Sequence, residues 1–346
     1  MEHMTSILEE QDGELYERQT IRTDKGQEPL RIDKFLMHRI ERATRNKIQQ
    51  AIASGLVTVN GLAIKSNYKV KAHDEIVVFS DTSPHEAQIK PEYIPLNIVF
   101  EDDVLIVVDK PAGLVVHPGV GNYTGTLLNG VAYYLRQQNI SINEEILPRF
   151  GLVHRIDKNT SGLLLLAKTE KAVAHLAKQF FHHTIQRKYI ALVWGDMEKQ
   201  EGTIYAHIAR HQRHRKLFDA YPEGERGKEA VTHYRVLERF GYTTLVECVL
   251  ETGRTHQIRV HMKYIGHPIF NDDTYGGNKI VKVTIYAKYK QFVDNCFALC
   301  SRQALHAQTL GFIHPVTEKF MCFESVLPTD MQQVIEKWSV YGKHRI

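Results

Sequence analysis

Residues 149–168 read RFGLVHRIDKNTSGLLLLAK, and the fold turns on how this stretch is read. Phe150, Leu152 and Val153 suggest a short apolar strand that breaks into a polar loop, His154 to Gly162, before an apolar run from Leu163 to Ala167. A run of that length without polar alternation fits a strand buried on both faces. Asp157 then stands on a loop between two buried strands, with Arg155 and Lys158 close by in sequence. Loops carried by a rigid scaffold are where reactive groups are commonly mounted. The two cations favour an ionised carboxylate at neutral pH, suited to a nucleophilic or basic role rather than that of a general acid.

The surrounding chain bounds the possibilities. Its 346 residues suffice for two domains, or for one large domain with an appendage. With 43% hydrophobic and 24% charged residues the composition is that of an ordinary soluble protein, and no apolar run is long enough to span a bilayer. The acidic start, MEHMTSILEEQDGELYERQ, has no basic segment followed by an apolar one, which argues against secretion and for the cytoplasm. The four cysteines form no CxxC pair, so reduced thiols are expected. The net charge of +4 conceals an asymmetry: residues 1–29 hold eight acids against three bases, leaving 41 bases and 32 acids on the rest. A polyanionic partner suits that surplus.

Residues 1–29 lack hydrophobic periodicity and read as a flexible acidic tail. A compact unit over 30–80 follows: Ile32, Phe35, Leu36 and Ile40 recur at helical spacing, and Ile48, Ala51 and Ile52 do so again after a candidate cap at Thr44. LVTVNG reads as a strand entering an Asn60-Gly61 turn, and Glu75 to Phe79 as a last strand. Residues 81–92, with Pro84 and Pro91, read as a linker. From 93 to 346 the pattern predicts a hairpin through Val104–Val108, a helix over Thr126–Leu135, and an amphipathic helix over Thr169–His183. Strands are predicted over 187–195, 203–208, 231–237 and 244–250, then a helix capped by Thr255, an ambiguous stretch over 269–300, a helix end near Ala304, two strands and a terminal helix over 329–338.

Several chemistries lack their signatures. The glycines at 119, 121 and 125 are not followed by Gly-Lys-Ser/Thr, the histidines lack metal-ligand spacing, no GxSxG elbow occurs, and no second carboxylate lies near Asp157. No metal or other cofactor is expected. What remains is one carboxylate, several arginines and a basic second domain, an inventory suited to a cofactor-independent rearrangement on a nucleotide taken out of its stack.

The pattern RIDKFL…TRNKIQQAIASGLVTVNG…YKVKAHDEIVV resembles the small helix-helix-strand RNA-binding module of the ribosomal-protein S-four type, departing from it at Ala43-Thr44 and Ala72-His73. HRIDKNTSGLLLLAK, RKYIALVWG, TGRTHQIRVHMKYIGHPI…YGG and ALHAQTL…HP resemble, in order, the motifs of the RluA-type ribosomal large-subunit RNA pseudouridine synthases, in particular the RluD-like branch. The resemblance implies an α+β fold, with a mixed, mainly antiparallel sheet flanked by helices and loops, preceded by the RNA-binding module. It implies isomerisation of uridines in RNA, most simply 23S ribosomal RNA; for the oligomeric state a monomer is the simplest expectation. Asp157 would be the catalytic residue, acting on ribose C1′ or on a sugar proton. Arg155 would fill the space left by the flipped base, Tyr189 would stack on the uracil, Arg259 would pair with Asp157, and Val260 would pack against the base. Arg31, Lys34, Arg45 and Lys47 on the module, and Arg210, Arg213, Arg215 and Lys216 on a basic loop at 209–216, would hold RNA. Two other readings stand beside this one: a ribosome-assembly factor whose catalysis is secondary, and a glycosylase that releases free uracil. If the basic loop does grip phosphates, RNA affinity falls steeply with added salt in a binding titration.

Overall fold

The computed structural model describes residues 16–40, 45–53, 55–80, 89–119, 122–138, 151–211, 214, 217–281 and 286–343. The N-terminal unit comprises β1 (Tyr16–Arg22), β2 (Leu30–Arg31), α1 (Ile32–Met37), α2 (Arg45–Ala53), β3 (Val57–Val59), β4 (Leu62–Ala63), β5 (Lys69–Val70) and β6 (Glu75–Ser80). Four strands form a sheet in the order β1-β6-β3-β4, and β2 pairs with β5. The periodic residues Ile32, Phe35, Leu36, Ile40, Ile48 and Ile52 meet Val57, Val59, Val70 and Ile76 in one core.

The tail expected over 1–29 is corrected for residues 16–22, which form β1 along the edge of β6. Apart from Ile21 this segment is polar, so it carries no hydrophobic signal; it is held by backbone pairing, which hides the edge of β6 from other chains. Just beyond it Thr23 is buried, its Oγ1 donating to the Lys71 carbonyl at 2.6 Å and accepting from the Asp74 amide at 2.8 Å. The end of the expected linker is also fastened: Ile89 is buried, and Asn129 Nδ2 donates to the Lys90 carbonyl. Thr44 and residues 81–88 lie outside the described residues.

The larger unit adds β7 (Ile98–Glu101), β8 (Leu105–Lys110), α3 (Leu127–Gln137), β9 (Ser161–Ala167), α4 (Glu170–Phe181), β10 (Gln186–Trp194), β11 (Glu201–Arg210), β12 (Phe218–Tyr221), β13 (Lys228–Arg239) and β14 (Thr243–Leu250). It ends with α5 (Gln257–Tyr264), α6 (Ala287–Leu299), β15 (Leu305–Ile313), β16 (Phe320–Glu324) and α7 (Thr329–Lys343). One sheet of ten strands runs β12-β11-β13-β14-β10-β15-β9-β8-β7, with β16 on β15. Among the described residues only the β9–β15 pairing is parallel, so the sheet is mixed and mainly antiparallel.

Strand alternation sorts the core into two faces. Leu164 and Leu166 of β9, and Tyr189, Ala191 and Val193 of β10, pack with α3 and α5 on one face. Leu163 and Leu165 turn to α4 on the other, and Ile190, Leu192 and Trp194 turn to α6 and α7. The continuous apolar runs thus have a physical reason: the sheet's centre is covered on both sides.

Three expectations change. The strand through Leu152 and Val153 reduces to a single bridge, Leu152 to Leu166, because Gly151 adopts φ 73° with its Cα against the Ala167 backbone; Phe150 lies outside the described residues. Helix α5 is capped by His256 in the left-handed conformation (φ 55°), not by Thr255. The helix end near Ala304 is absent, since α6 ends at Leu299, which also resolves much of the ambiguous 269–300 stretch.

The parallel crossing of β9 and β15 depends on Gly162, at φ 113°, where a Cβ would lie 2.2 Å from the Ala307 carbonyl oxygen. Gly162→Ala combines left-handed strain with a backbone overlap and is expected to cost about 2–4 kcal/mol, read as a lowered denaturation midpoint in urea.

Candidate active site

Asp157 sits within the loop that leads into β9, and the loop is fastened from several sides. His154 is buried, stacks on Phe180 at 4.9 Å between ring centroids, and accepts the Leu165 amide on Nε2 at 2.9 Å. Burial, with Arg187 nearby, pulls its imidazole down to about 3, so it is a neutral clasp. The fully buried Lys110 donates from Nζ to the carbonyls of Pro111, Leu114 and Lys158 at 2.8, 2.9 and 3.0 Å. Three acceptors match the three N–H bonds of an ammonium. Burial pulls that group down to about 7, against the opposing attraction of Asp157. Arg302 Nη1 donates to the Asn159 carbonyl at 3.0 Å, while its Nε and Nη2 form a two-point pair with Asp330 of α7.

Across from this loop, α5 presents Arg259. Its Nη1 donates to Asp157 Oδ2 at 2.9 Å, and its Nε and Nη2 donate to Asp272 Oδ2 and Oδ1 at 2.7 and 2.9 Å. The guanidinium side chain is 6% exposed, Asp157 18% and Asp272 not at all. Asp272 Oδ1 also accepts the amides of Thr274 and Tyr275, so both of its oxygens are engaged and it fixes the plane of the guanidinium. Burial alone raises the Asp157 carboxyl; the positive charge of His256 when protonated, of Arg259 and of Arg155 outweighs it, and the group lies below its ordinary value. Asp157 is therefore ionised at neutral pH.

His256 lies with Nε2 3.9 Å from Asp157 Oδ1 and Nδ1 2.7 Å from the Tyr275 hydroxyl. That hydroxyl accepts the Phe218 amide, so the arrangement that matches every group has Tyr275 donating to Nδ1 and the histidine proton on Nε2, directed toward Asp157. Burial lowers the imidazole to about 4 despite the pull of Asp157, leaving it neutral at physiological pH.

The recess above Asp157 is lined by Arg155, Ile156, Arg187, Tyr189, Leu250, Ile258 and Leu305, among others. Tyr189 reaches it from β10, where it faces Cys248 on β14 and Ala307 on β15 beside a register shift between Lys188 and Tyr189. Asp157, Arg155, Tyr189 and Arg259 are thus brought together. Val260 is not: it is buried among Ile208, Phe218, Ala230 and Tyr275, and Ile258 lines the recess instead. Each helical residue turns about 100° from the last, so the two neighbours of Arg259 point to opposite sides.

Of the predicted RNA-binding residues, Arg31, Lys34, Arg45 and Arg210 do not line this recess. Arg31 and Arg45 both donate to the buried Asp33, with Gln49, and each stays partly exposed. Burial raises the Asp33 carboxyl, but its bonds to Arg31, Gln49 and Arg45 bring it far below the ordinary range, so it acts as an anchor that orients two guanidinium groups. Lys34 is exposed. Arg210 ends β11 with its guanidinium 4.8 Å from the Phe218 ring centre. Arg213, Arg215, Lys216 and the Lys47 side chain lie outside the described residues. Asp272, His256, Tyr275, Lys110 and Ile258 were missed from sequence. His256 and Ile258 sit inside the quoted RTHQIRVH motif, whereas Asp272 gave no periodic or spacing signal.

A family model described as RNA pseudouridylate synthase matches residues 104–264, and one described as S4 domain matches residues 30–76. The chain is 45% identical over 319 residues to a Chlorobaculum parvum protein named as an uncharacterized RNA pseudouridine synthase, covering 92% of this chain and 97% of that one. It is 43% identical over 316 residues to the ribosomal large subunit pseudouridine synthase D of Zymomonas mobilis, covering 91% and 95% respectively. Human RNA pseudouridylate synthase domain containing 4 shares the fold, with a TM-score of 0.55 at 22% identity over 70% of this chain and 93% of the human one.

The shared arginine makes a prediction independent of any reaction. Arg259→Gln removes one of the cations that oppose burial, so the Asp157 carboxyl should titrate higher, followed by its carbon-13 shift. The sign fixes the stability change as well: the contribution of the ionised pair is present above the ordinary carboxylate pKa and is lost as pH falls through the lower folded value. An unshifted titration would remove Arg259 as the cause.

Proposed function

This chain belongs to the RNA pseudouridine synthase family and carries an S4 domain, and from that premise we propose that it isomerises uridines of large-subunit ribosomal RNA with Asp157 as the catalytic residue. The observation that carries the assignment to Asp157 is the ionised carboxylate, paired with Arg259 at the floor of a recess that also holds Tyr189 and Arg155.

Uridine and pseudouridine are isomers, so no redox change and no external group is involved. The N1–C1′ bond breaks, a C5–C1′ bond forms, N1 gains a proton and C5 loses one. A carboxylate held without a proton is equipped either to attack C1′ or to take a sugar proton, and Asp157 has that state through Arg259. The target base first leaves its stack, at a cost of a few kcal/mol. Tyr189 offers the uracil an aromatic surface, a contact worth about 1–3 kcal/mol. Arg155, two residues before Asp157, lines the recess and in this reading enters the space the base leaves. Ile258, Leu250 and Leu305 supply apolar walls where the sequence pointed to Val260.

The S4 domain supports delivery of structured RNA through Arg31, Lys34 and Arg45, two of which Asp33 holds in fixed orientation. Recognition of such RNA rests on shape and phosphate contacts more than on base edges. The large-subunit substrate is supported by the relative named for that subunit. We place the enzyme, as a monomer, in the cytoplasm beside the assembling subunit. A role confined to ribosome assembly is not favoured by relatives named as synthases.

Asp157→Asn tests the assignment. Tritium release from 5-tritiated uridine in ribosomal RNA is expected to fall to background, about 10³-fold or more, with RNA binding largely retained. Release at the wild-type rate would remove Asp157 from the chemistry.

A further inference from the structure

Arg187 is an anomaly of the same recess. It lies on β10 two residues before Tyr189, on the same side of the strand, and lines the recess with it. It is only 7% exposed, yet among the described residues no carboxylate pairs with it. Among the described residues its side chain makes one hydrogen bond, from Nη2 to the Glu251 carbonyl at a long 3.3 Å, and Nε is buried with no partner there. The guanidinium stands 5.4 Å from the Phe180 ring centre and abuts Gly253, where a Cβ would come within 2.7 Å of Nη1. The titratable groups that interact with it are His154, held neutral, and Tyr189, so among the described residues no fixed negative charge answers it.

A buried guanidinium with five donors and one long bond is costly unless something completes it. Arg259 shows the contrast within the same recess: it is equally buried but satisfied by two carboxylates. The flat fork of an arginine matches the oxygens of a phosphate, and RNA carries one phosphate on each side of every nucleotide. We propose that Arg187 is an anion site built into the recess, holding a phosphate that flanks the flipped uridine. The phosphate supplies the missing negative charge, and the contact fixes the sugar relative to Asp157. Gly253 leaves the room the guanidinium needs. Arg187 is therefore a substrate-binding residue distinct from the arginines of the S4 domain, which hold RNA away from the reacting nucleotide. This inference rests on the reading of the recess as the uridine site.

The test uses the full-length enzyme and a short 5-tritiated RNA that the wild type converts. The phosphates on either side of the target uridine are replaced, one at a time, by uncharged methylphosphonate. At one of the two positions the replacement should lower wild-type kcat/KM about 10- to 100-fold. Arg187→Gln should lose a similar factor on unmodified RNA, and nothing further on the modified one. Arg187→Lys, which keeps the charge without the fork, should fall between the two and remain partly sensitive; it serves if Arg187→Gln does not fold. A purely structural arginine would give losses that multiply with those of methylphosphonate at both positions, and that result overturns the proposal. So does a wild type indifferent to both replacements, or an Arg187→Gln enzyme with full activity. A wild type that releases no tritium from any ribosomal RNA defeats the uridine reading itself, and the two failures are thereby told apart.

Discussion

Arg259 is shared between two aspartates, and the site depends on that sharing. One arm and the Nε of its guanidinium are spent on Asp272, fully buried and saturated by two further amides, which leaves Nη1 for Asp157. The division is unequal by construction. Asp272 holds the fork in place, whereas Asp157 gives the arginine only Oδ2 and leaves Oδ1 to His256, whose Nε2 stands 3.9 Å away. Removing the arginine would strand the buried Asp272 and the partly buried Asp157, and breaking a buried ion pair costs about 3–5 kcal/mol. The same pair therefore ties the chemistry to the folding of three distant segments.

Those segments meet because of the sheet. Tyr189 and Arg187 come from β10 near its centre, Asp157 from the loop entering β9, and Arg259 from the helix that follows β14. A parallel crossing between β9 and β15 at Gly162 brings the aspartate loop to the sheet's middle. Beneath the loop, Lys110 and Arg302 hold the carbonyls of Lys158 and Asn159, and Arg302 relays that hold to the C-terminal helix through Asp330. The position of one carboxylate is thus set by residues from both ends of the catalytic unit, as a preorganised site requires.

Much of this was legible in the sequence where a pattern had a period or a motif. The run Leu163–Ala167 signalled a doubly covered strand, and the amphipathic spacing after Thr169 signalled α4, with Thr169 as its observed cap. The pairing of Arg259 with Asp157 followed only from the motif resemblance; no local rule links residues so far apart. Val260 failed because a motif names neighbours without giving the direction of each side chain, and the helix turns Ile258 to the recess. The strand Tyr16–Arg22 was invisible because backbone pairing needs no apolar pattern. Asp272 and Lys110 were missed for a related reason: a buried ion is defined by its partners, and those are assembled only by the fold.

The central claim is that an ionised aspartate held by an arginine moves a uracil from nitrogen to carbon without releasing it. The most direct measurement is the nucleoside balance of large-subunit ribosomal RNA, lacking its modifications, after incubation with the purified protein. The account predicts that each uridine lost from the digest reappears as pseudouridine, with no free uracil in the supernatant. Free uracil matching the uridine lost would contradict it, and so would an unchanged uridine content.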